Sequence, residues 1–246
     1  MRKLIRTLVI TSFMTGFIDF VASAQELTWT TKSKQARELA KQGFVHLANL
    51  ENELAYQDFG GALAKDPNFT VVQILMANLS TGDAKKLYSE KAKGSVANKS
   101  EGEKILVTLL DAKSPKERHE IWTNLHNKFP DDAMSFYFYA LTMPDSIQVF
   151  NATMEYLQKY PSSPEAINNL AYMYLNDKKD TATAKTYFEK YIEVYPAGYN
   201  PYDSMGEFYY ITGDMANSKI YYTKSLEHYP FCYSSRQKME ELNKTK

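Results

Sequence analysis

The sequence of 246 residues contains a single cysteine, Cys232. One cysteine cannot form an intrachain disulfide, and no cysteine stands near the N-terminus to receive the lipid anchor of a lipoprotein. The stability of the protein must therefore come from packing rather than from covalent cross-links. Cys232 lies between Phe231 and Tyr233, where we expect it to be buried rather than reactive.

Net charge is absent as well. Lysine and arginine together number 29, as do aspartate and glutamate, so the formal net charge is zero. Without residues 1–24, the chain keeps 26 basic and 28 acidic residues. Nucleic-acid binding needs a basic surface that offsets the phosphate charge. We therefore expect no nucleic-acid partner.

Motifs of enzyme active sites are missing. The sequence contains no G-x-S-x-G, P-loop, H-E-x-x-H or glycine-rich dinucleotide motif. Two of the four histidines, His119 and His126, are seven residues apart, whereas a helical zinc pair requires ligands four residues apart. We therefore predict no catalytic residues, no cofactor and no metal, and interpret the protein as a non-enzyme.

Long apolar runs are missing apart from one short run near the N-terminus. Residues 1–24 begin with Met-Arg-Lys, continue through a mostly apolar stretch at 7–18 and end in Ala-Ser-Ala. This order is typical of a secretory signal peptide, and it predicts cleavage after Ala24. At about 12 residues, the run is too short for a helix that spans a bilayer of roughly 30 Å. We expect a periplasmic or secreted protein without stable membrane insertion; a retained membrane anchor is the alternative.

What the sequence does contain is a repeat. Residues 171–196 and 205–230 carry small, aromatic and proline residues in the same order, 34 residues apart. A period near 34 is typical of helix pairs that cannot bury their apolar faces alone and must stack on one another. The prolines that end the units are Pro67, Pro130, Pro161, Pro196 and Pro230. Their spacing predicts six helix pairs, two of which lie between Pro67 and Pro130.

This spacing predicts an all-α fold. We expect a right-handed superhelix of about six antiparallel helix pairs over residues 33–244, with a capping helix at 234–243. Small residues mark the positions where two helices approach closely, and Gly206 and Ala55 hold such positions, so we expect both to be buried. The polar stretch 93–102 is predicted to be a flexible joint.

The repeat resembles the tetratricopeptide repeat (TPR). In that family the first helix of a pair carries a large residue, a leucine-type residue, glycine and tyrosine, and the second carries alanine, aromatic, alanine and proline residues. The matching residues of the last unit are Tyr202, Met205, Gly206, Tyr209, Ser218, Tyr222 and Pro230. The resemblance covers most of residues 25–246; it is close in 36–67, 164–196 and 199–230 and weaker in the three units between them.

The resemblance implies a partner-binding surface on the concave side of the superhelix, which the first helices line. In the last three units, first-helix positions between the packing residues carry aromatic residues, an amide and two acids. These predicted partner-binding residues are Tyr137, Asn168, Tyr172, Asp203, Glu207 and Tyr210. Tyrosine contributes contact area at low entropic cost and asparagine can bond a backbone, so the set suits a protein or an extended peptide. For Tyr137 and Tyr172, packing between repeats is the alternative.

Some TPR proteins are chaperone adaptors that clamp a C-terminal carboxylate with basic residues on first helices. The matching positions here hold Ala40, Phe44, Asn168, Tyr172, Asp203 and Glu207. Because the basic residues of the clamp are missing and two acids stand in the last unit, we expect a neutral or basic partner.

The sequence therefore predicts a non-enzymatic protein- or peptide-binding scaffold or adaptor in the cell envelope. Residues 202–214 are also similar to the repeat pair that follows the catalytic domain of many secreted bacterial serine hydrolases, which implies export and a helper role. The alternatives are an accessory factor in envelope assembly or transport, a helper of a secreted hydrolase, and an enzyme or small-molecule binder.

Overall fold

The computed structural model describes residues 26–244, so the predicted signal peptide lies outside the described residues. This part of the chain forms thirteen α-helices and two short 3-10 turns, Val96–Asn98 and Val107–Leu110, and it contains no strand. The helices are α1 (Lys34–Ala48), α2 (Asn52–Lys65), α3 (Thr70–Leu79), α4 (Gly82–Ser95), α5 (Glu101–Leu106), α6 (Pro115–Lys128), α7 (Ala133–Leu141), α8 (Ser146–Lys159), α9 (Pro164–Asn176), α10 (Thr181–Val194), α11 (Asn200–Thr212), α12 (Met215–His228) and α13 (Tyr233–Lys244).

Consecutive helices pack as six pairs, from α1 with α2 to α11 with α12, and each pair contacts the next one. The last helix, α13, packs on α11 and α12. The predicted all-α fold of six helix pairs with a capping helix is thus confirmed. The third pair is the least regular, because α5 is short and continues as the 3-10 turn Val107–Leu110.

Most helices of the last units begin at a capping residue in the sequence. In α9, α10 and α12 the side chains of Ser163, Asp180 and Asp214 accept a hydrogen bond from the backbone N–H three residues later. Such N-caps satisfy a backbone donor that the helix itself leaves free. Helix α11 differs, because the side chain of its N-cap residue, Tyr199, makes no capping hydrogen bond.

The predicted close-contact positions are buried. Ala55 is fully buried in α2. A Cβ atom added to Gly206 would lie 2.8 Å from the ring of Tyr222, so α11 and α12 approach too closely for a side chain at that position. Small residues thus alternate with large ones along the contact between paired helices, as the repeat pattern requires.

The extended segment before α1 is fastened to the third unit. Ser100 Oγ donates a hydrogen bond to the carbonyl of Thr28 over 2.8 Å, and the backbone N–H of Thr30 donates to Glu103 over 3.2 Å. The Glu103 side chain is fully buried. The stretch 93–102, predicted from its polarity to be a flexible joint, is instead held by these bonds, and α4 extends into it. Part of the polarity of this stretch therefore serves internal hydrogen bonds, as at Ser100, while Lys93, Asn98 and Glu101 are exposed to solvent.

Candidate partner-binding groove

The turn between α1 and α2 reaches the last two units through Glu51, whose side chain is fully buried. Its Oε1 accepts hydrogen bonds from the backbone N–H groups of Tyr199 (2.8 Å) and Asn200 (3.1 Å), and its Oε2 accepts one from the hydroxyl of Tyr195 (2.7 Å). Burial, together with the hydrogen bond to Glu51, raises the pKa of Tyr195. The hydroxyl therefore stays protonated and acts as the hydrogen-bond donor. Glu51 therefore supplies the missing cap of α11 from a position 148 residues earlier in the chain, where the helix dipole favours a negative charge.

The rest of this turn adds two contacts. Asn49, also fully buried, accepts a hydrogen bond from the hydroxyl of Tyr191 over 2.9 Å. The carbonyl of Ala48 accepts one from the hydroxyl of Tyr137 over 3.3 Å. Leu50 has a φ of 62°, a left-handed conformation that costs a residue with a side chain roughly 1–2 kcal/mol. The turn closes the superhelix, because it joins the first unit to the fourth, fifth and sixth.

Two of the predicted partner-binding residues, Tyr137 and Asn168, are buried. The hydroxyl of Tyr137 donates to Ala48 and accepts from the side-chain amide of Asn169 over 3.4 Å. Burial raises the pKa of Tyr137. The Oδ1 atom of Asn168 is buried and accepts no hydrogen bond from the described residues. Of the two, Tyr137 lines the groove described below, although little of its surface is exposed.

Tyr172 and Glu207 bind each other. The hydroxyl of Tyr172 donates to Glu207 over 2.6 Å, which links α9 to α11, and its ring packs edge-on against Phe188 at 5.0 Å. Burial, followed by the charge of Glu207, raises the pKa of Tyr172. For Tyr137 and Tyr172 the structure thus shows packing between repeats, the alternative that the sequence left open.

The remaining two predicted residues, Asp203 and Tyr210, lie under the capping helix α13. The hydroxyls of Ser234 and Ser235 donate to Asp203, and burial raises the pKa of this carboxyl group. The ammonium of Lys238 lies 4.4 Å from the centre of the Tyr210 ring. All six residues are on first helices, and five of them are engaged with other parts of the chain. Their part in partner binding stays a prediction.

An open groove lies on the first-helix side of the first four units and has a volume of about 480 Å³. Its floor consists of buried apolar side chains from α3, α5, α6, α7 and the second 3-10 turn: Val71, Ile74, Leu75, Leu106, Leu109, Trp122 and Met134. Its rim consists of half-buried or exposed apolar side chains: Leu47, Leu50, Leu79, Phe138 and Leu141. The volume lies within the range of known ligand pockets, which are mostly lined by apolar side chains.

Charge in this groove has one sign. Lys85 of α4 and Arg118 of α6 are the charged residues that line it. Neither side chain forms an ion pair, hydrogen bond or ring contact with the described residues. The groove therefore combines an apolar floor with two cations that have no internal counter-charge.

A second cavity, of about 560 Å³, shares Met134 with the groove. It lies between the segment before α1, α1 itself and the starts of α7 and α9. Its charged lining residues are Glu26, Arg37, Lys41, Asp131, Asp132 and Glu165. Both signs of charge line this cavity, whereas the charged residues of the groove are all cations. The two sites therefore differ in the charge that they offer to a partner.

The predicted binding surface overlaps the groove only at α7, where Tyr137 lines it. The rest of the groove lies in the first three units, outside the surface that the sequence predicted. A signal was present in α3, where the sequence at 71–77 (VVQILMA) has Gln73 as its one polar residue. A helix that is apolar on every side must contact more than its own partner helix. Such an apolar run within an otherwise amphipathic repeat could have indicated which helix contacts several other helices and forms the floor of the groove.

Metal and membrane features are absent from residues 26–244. No three histidine, cysteine, aspartate or glutamate side chains in this range are arranged to hold a metal ion. His119 and His126 instead stack on the ring of Tyr139. None of the described helices has the length and apolar character needed to cross a bilayer.

Comparison with known proteins identifies the repeat. The family model described as tetratricopeptide repeat matches residues 164–197 and 199–231. No curated protein matches the chain. Helix pairs α9–α10 and α11–α12 are therefore tetratricopeptide repeats by sequence.

Solved structures similar to the chain have low sequence identity. A thermophilic TPR protein of Thermus thermophilus has 12% identity and a TM-score of 0.48, and the match covers 85% of this chain and 98% of that one. PilW, a type IV pilus biogenesis factor, has 12% identity and a TM-score of 0.48, with 84% and 99% covered. PilF of Pseudomonas aeruginosa has 13% identity and a TM-score of 0.45, with 84% and 97% covered. From its own helix packing and the family model, the described part of this chain is a solenoid of helix pairs that carries two tetratricopeptide repeats.

Proposed function

We propose that this protein is a non-enzymatic scaffold of the cell envelope that binds a protein partner through the groove on its first four units. The observation that carries the proposal is the apolar rim of this groove, which leaves Leu50 with 61% of its surface exposed and four other apolar residues half-buried. When a partner covers exposed apolar surface, the binding free energy becomes more favourable by about 25 cal/mol for each Å² buried. A groove of this kind is a typical protein-interaction site.

The position of the groove supports the same proposal. Helical repeats present their first helices to bound segments, and α1, α3, α5 and α7 supply most of its lining. The half-buried residues Tyr172, Glu207 and Tyr210 remain candidates for an additional contact on first helices of the last two units. The proposed partner is a protein and not a nucleic acid, because the chain lacks an excess of basic residues.

The proposal includes export and removal of residues 1–24. Leu27 is buried and Trp29 packs edge-on against Phe69, so cleavage after Ala24 leaves this packing intact. Mass spectrometry of the protein from an envelope fraction should find a chain that begins at Gln25. An intact chain from Met1 in the membrane fraction would favour a retained anchor instead.

Site-specific cross-linking tests the groove. A photoreactive amino acid replaces Leu50 on the rim or, as the matched control, Leu87 on α4, which is 48% exposed and does not line the groove. We expect a discrete cross-linked product in envelope extract from position 50 and none from position 87. No product from position 50, or the same products from both positions, would contradict the proposed site.

A further inference from the structure

The cations of the groove differ from their neighbours on the same helices. Lys86 on α4 lies 4.0 Å from Glu90, and Lys116 on α6 lies 3.8 Å from Glu120, both as pairs four residues apart. Lys85 and Arg118 have no such partner, because Ser89 and Trp122 stand four residues after them. No aspartate or glutamate lines the groove that could pair with either cation. The two groove cations are therefore available to an external carboxylate.

The groove also offers few hydrogen-bond partners to a polypeptide backbone. Asn52 and Asn78 are the lining side-chain amides. The lining hydroxyls of Tyr137 and Thr142 already donate to the carbonyls of Ala48 and Phe138. An extended segment brings one donor and one acceptor for each residue, and these need partners when they are buried. An α-helix satisfies these groups internally and can lay its apolar face in a groove. The lining thus suits a helix better than an extended peptide.

We infer that the groove binds an amphipathic helix of a partner protein, with apolar residues on the floor and acidic residues against Lys85 and Arg118. This inference rests on the proposed function and deepens it. It replaces the neutral or basic partner expected from Asp203 and Glu207, because these two acids are bonded to α13 and to Tyr172. Complementary charge beside an apolar contact fixes the orientation of the bound segment and discriminates among partners.

Designed peptides of about 15 residues, long enough to form a marginal helix, test the inference. All carry the same leucine face, and their flanking positions hold glutamate, glutamine or lysine; a fourth peptide is the glutamate version with a central proline. We expect the glutamate peptide to bind at least about fivefold tighter than the glutamine peptide at low salt, and the lysine peptide to bind least well. The proline should weaken binding about tenfold or more, because it breaks the helix.

Charge variants assign the preference to the two groove cations. The double variant Lys85→Gln, Arg118→Gln should bind the glutamate and glutamine peptides with equal affinity. The matched control Lys86→Gln, Lys116→Gln removes the same charge from the same two helices and should keep the preference of the unmodified protein. Both variants should retain the unmodified circular dichroism spectrum, since these side chains support no internal contact other than surface ion pairs.

Several outcomes would overturn the inference. Equal or tighter binding of the lysine peptide, equal binding of the proline peptide, or no binding of any peptide would each do so. Self-association of the chain that Leu50→Glu abolishes would assign the groove to a second copy instead. If the peptides fail while position 50 still cross-links to a partner in extract, only the helix and its charge are wrong; if position 50 cross-links to nothing, the proposed function itself fails.

Discussion

The C-terminal repeats and the turn that closes the superhelix are stabilised by different interactions. Pairs α9–α10 and α11–α12 are joined by small and large apolar residues within one repeat, as where Gly206 meets Tyr222. The closing turn is held by buried hydrogen bonds that Asn49 and Glu51 accept from residues 142 to 149 positions later. In a repeat array each unit contacts only its neighbours, and stability is close to a sum over units. The closing turn adds a contact between distant units, so both ends should unfold together.

The largest expected effect falls on the repeat packing. Gly206→Leu places a side chain where a Cβ atom would already lie 2.8 Å from the Tyr222 ring. We expect a loss of about 3 kcal/mol in the free energy of unfolding, measured by urea denaturation. Gly60→Leu is the control, since open space surrounds this helical glycine, and it should be neutral or stabilising by up to about 1 kcal/mol. Equal stability of the Gly206 variant and the unmodified protein would show that the α11–α12 register is wrong.

A somewhat smaller effect is expected at the closing turn. Glu51→Ala leaves the N–H groups of Tyr199 and Asn200 and the hydroxyl of Tyr195 without their acceptor. Buried donors that lose a charged acceptor should lower the free energy of unfolding by about 2–3 kcal/mol. Glu240→Ala, at an exposed position of α13 remote from this turn, should change it by less than about 0.5 kcal/mol. If both variants unfold alike, the closing contact does not contribute to stability.

A pH dependence is expected between the two regions, at the α6–α7 contact. His126 stacks on Tyr139, and burial lowers its pKa below the usual 6.5, while Glu155 partly opposes and Lys159 adds to this effect. Since the unfolded chain then binds a proton more readily than the folded one, His126 favours folding above about pH 6.5 and loses this contribution as the pH falls towards its folded pKa.

Melting temperatures at pH 7 and pH 5 measure this effect. The drop on acidification should be smaller in His126→Phe, which keeps an aromatic ring against Tyr139 but cannot be protonated. Asp132 and Asp203, whose pKa values burial raises, act in the opposite direction in both proteins, and so they cancel in the comparison. The same drop in both proteins would exclude His126 as its cause.

The smallest expected effect compares two strained backbone positions. Leu50 in the closing turn and Lys179 in the α9–α10 loop have φ values of 62° and 55°. Glycine adopts this conformation without strain, so Leu50→Gly and Lys179→Gly should each stabilise the fold by roughly 0.5–1 kcal/mol. Stabilisation at Lys179 alone would show that the Leu50 side chain contributes a contact that offsets its strain.

The repeat packing could be predicted from the sequence because it is local. Small residues, aromatic residues and prolines recur at one period, and capping residues such as Asp180 and Asp214 mark the helix starts. These signals lie within a few residues of the element that they specify. The six helix pairs, the capping helix and the burial of Gly206 followed from them.

The candidate site could be predicted only in part. First-helix positions were expected to face a partner. Tyr137 lines the groove, but its hydroxyl is bonded to Ala48, and Asp203 is bonded to α13. Whether a first-helix side chain stays accessible to a partner depends on how far the superhelix curves back on itself. The spacing of the sequence repeat does not contain this information. Glu51 illustrates the limit, because a single glutamate carries no sign that it caps a helix 148 residues later.

Amide hydrogen exchange at Tyr199 and Asn200 tests the central claim, that the first unit closes onto the last ones, most directly. The first amides of a helix have no partner within the helix, so those of α10 and α12, at the exposed residues Thr181 and Met215, should exchange rapidly. The amides of Tyr199 and Asn200 should be strongly protected, and Glu51→Ala should abolish this protection while amides in the middle of α11 stay slow. Exchange at Tyr199 and Asn200 as fast as at Thr181 and Met215 in the unmodified protein would contradict the closed superhelix.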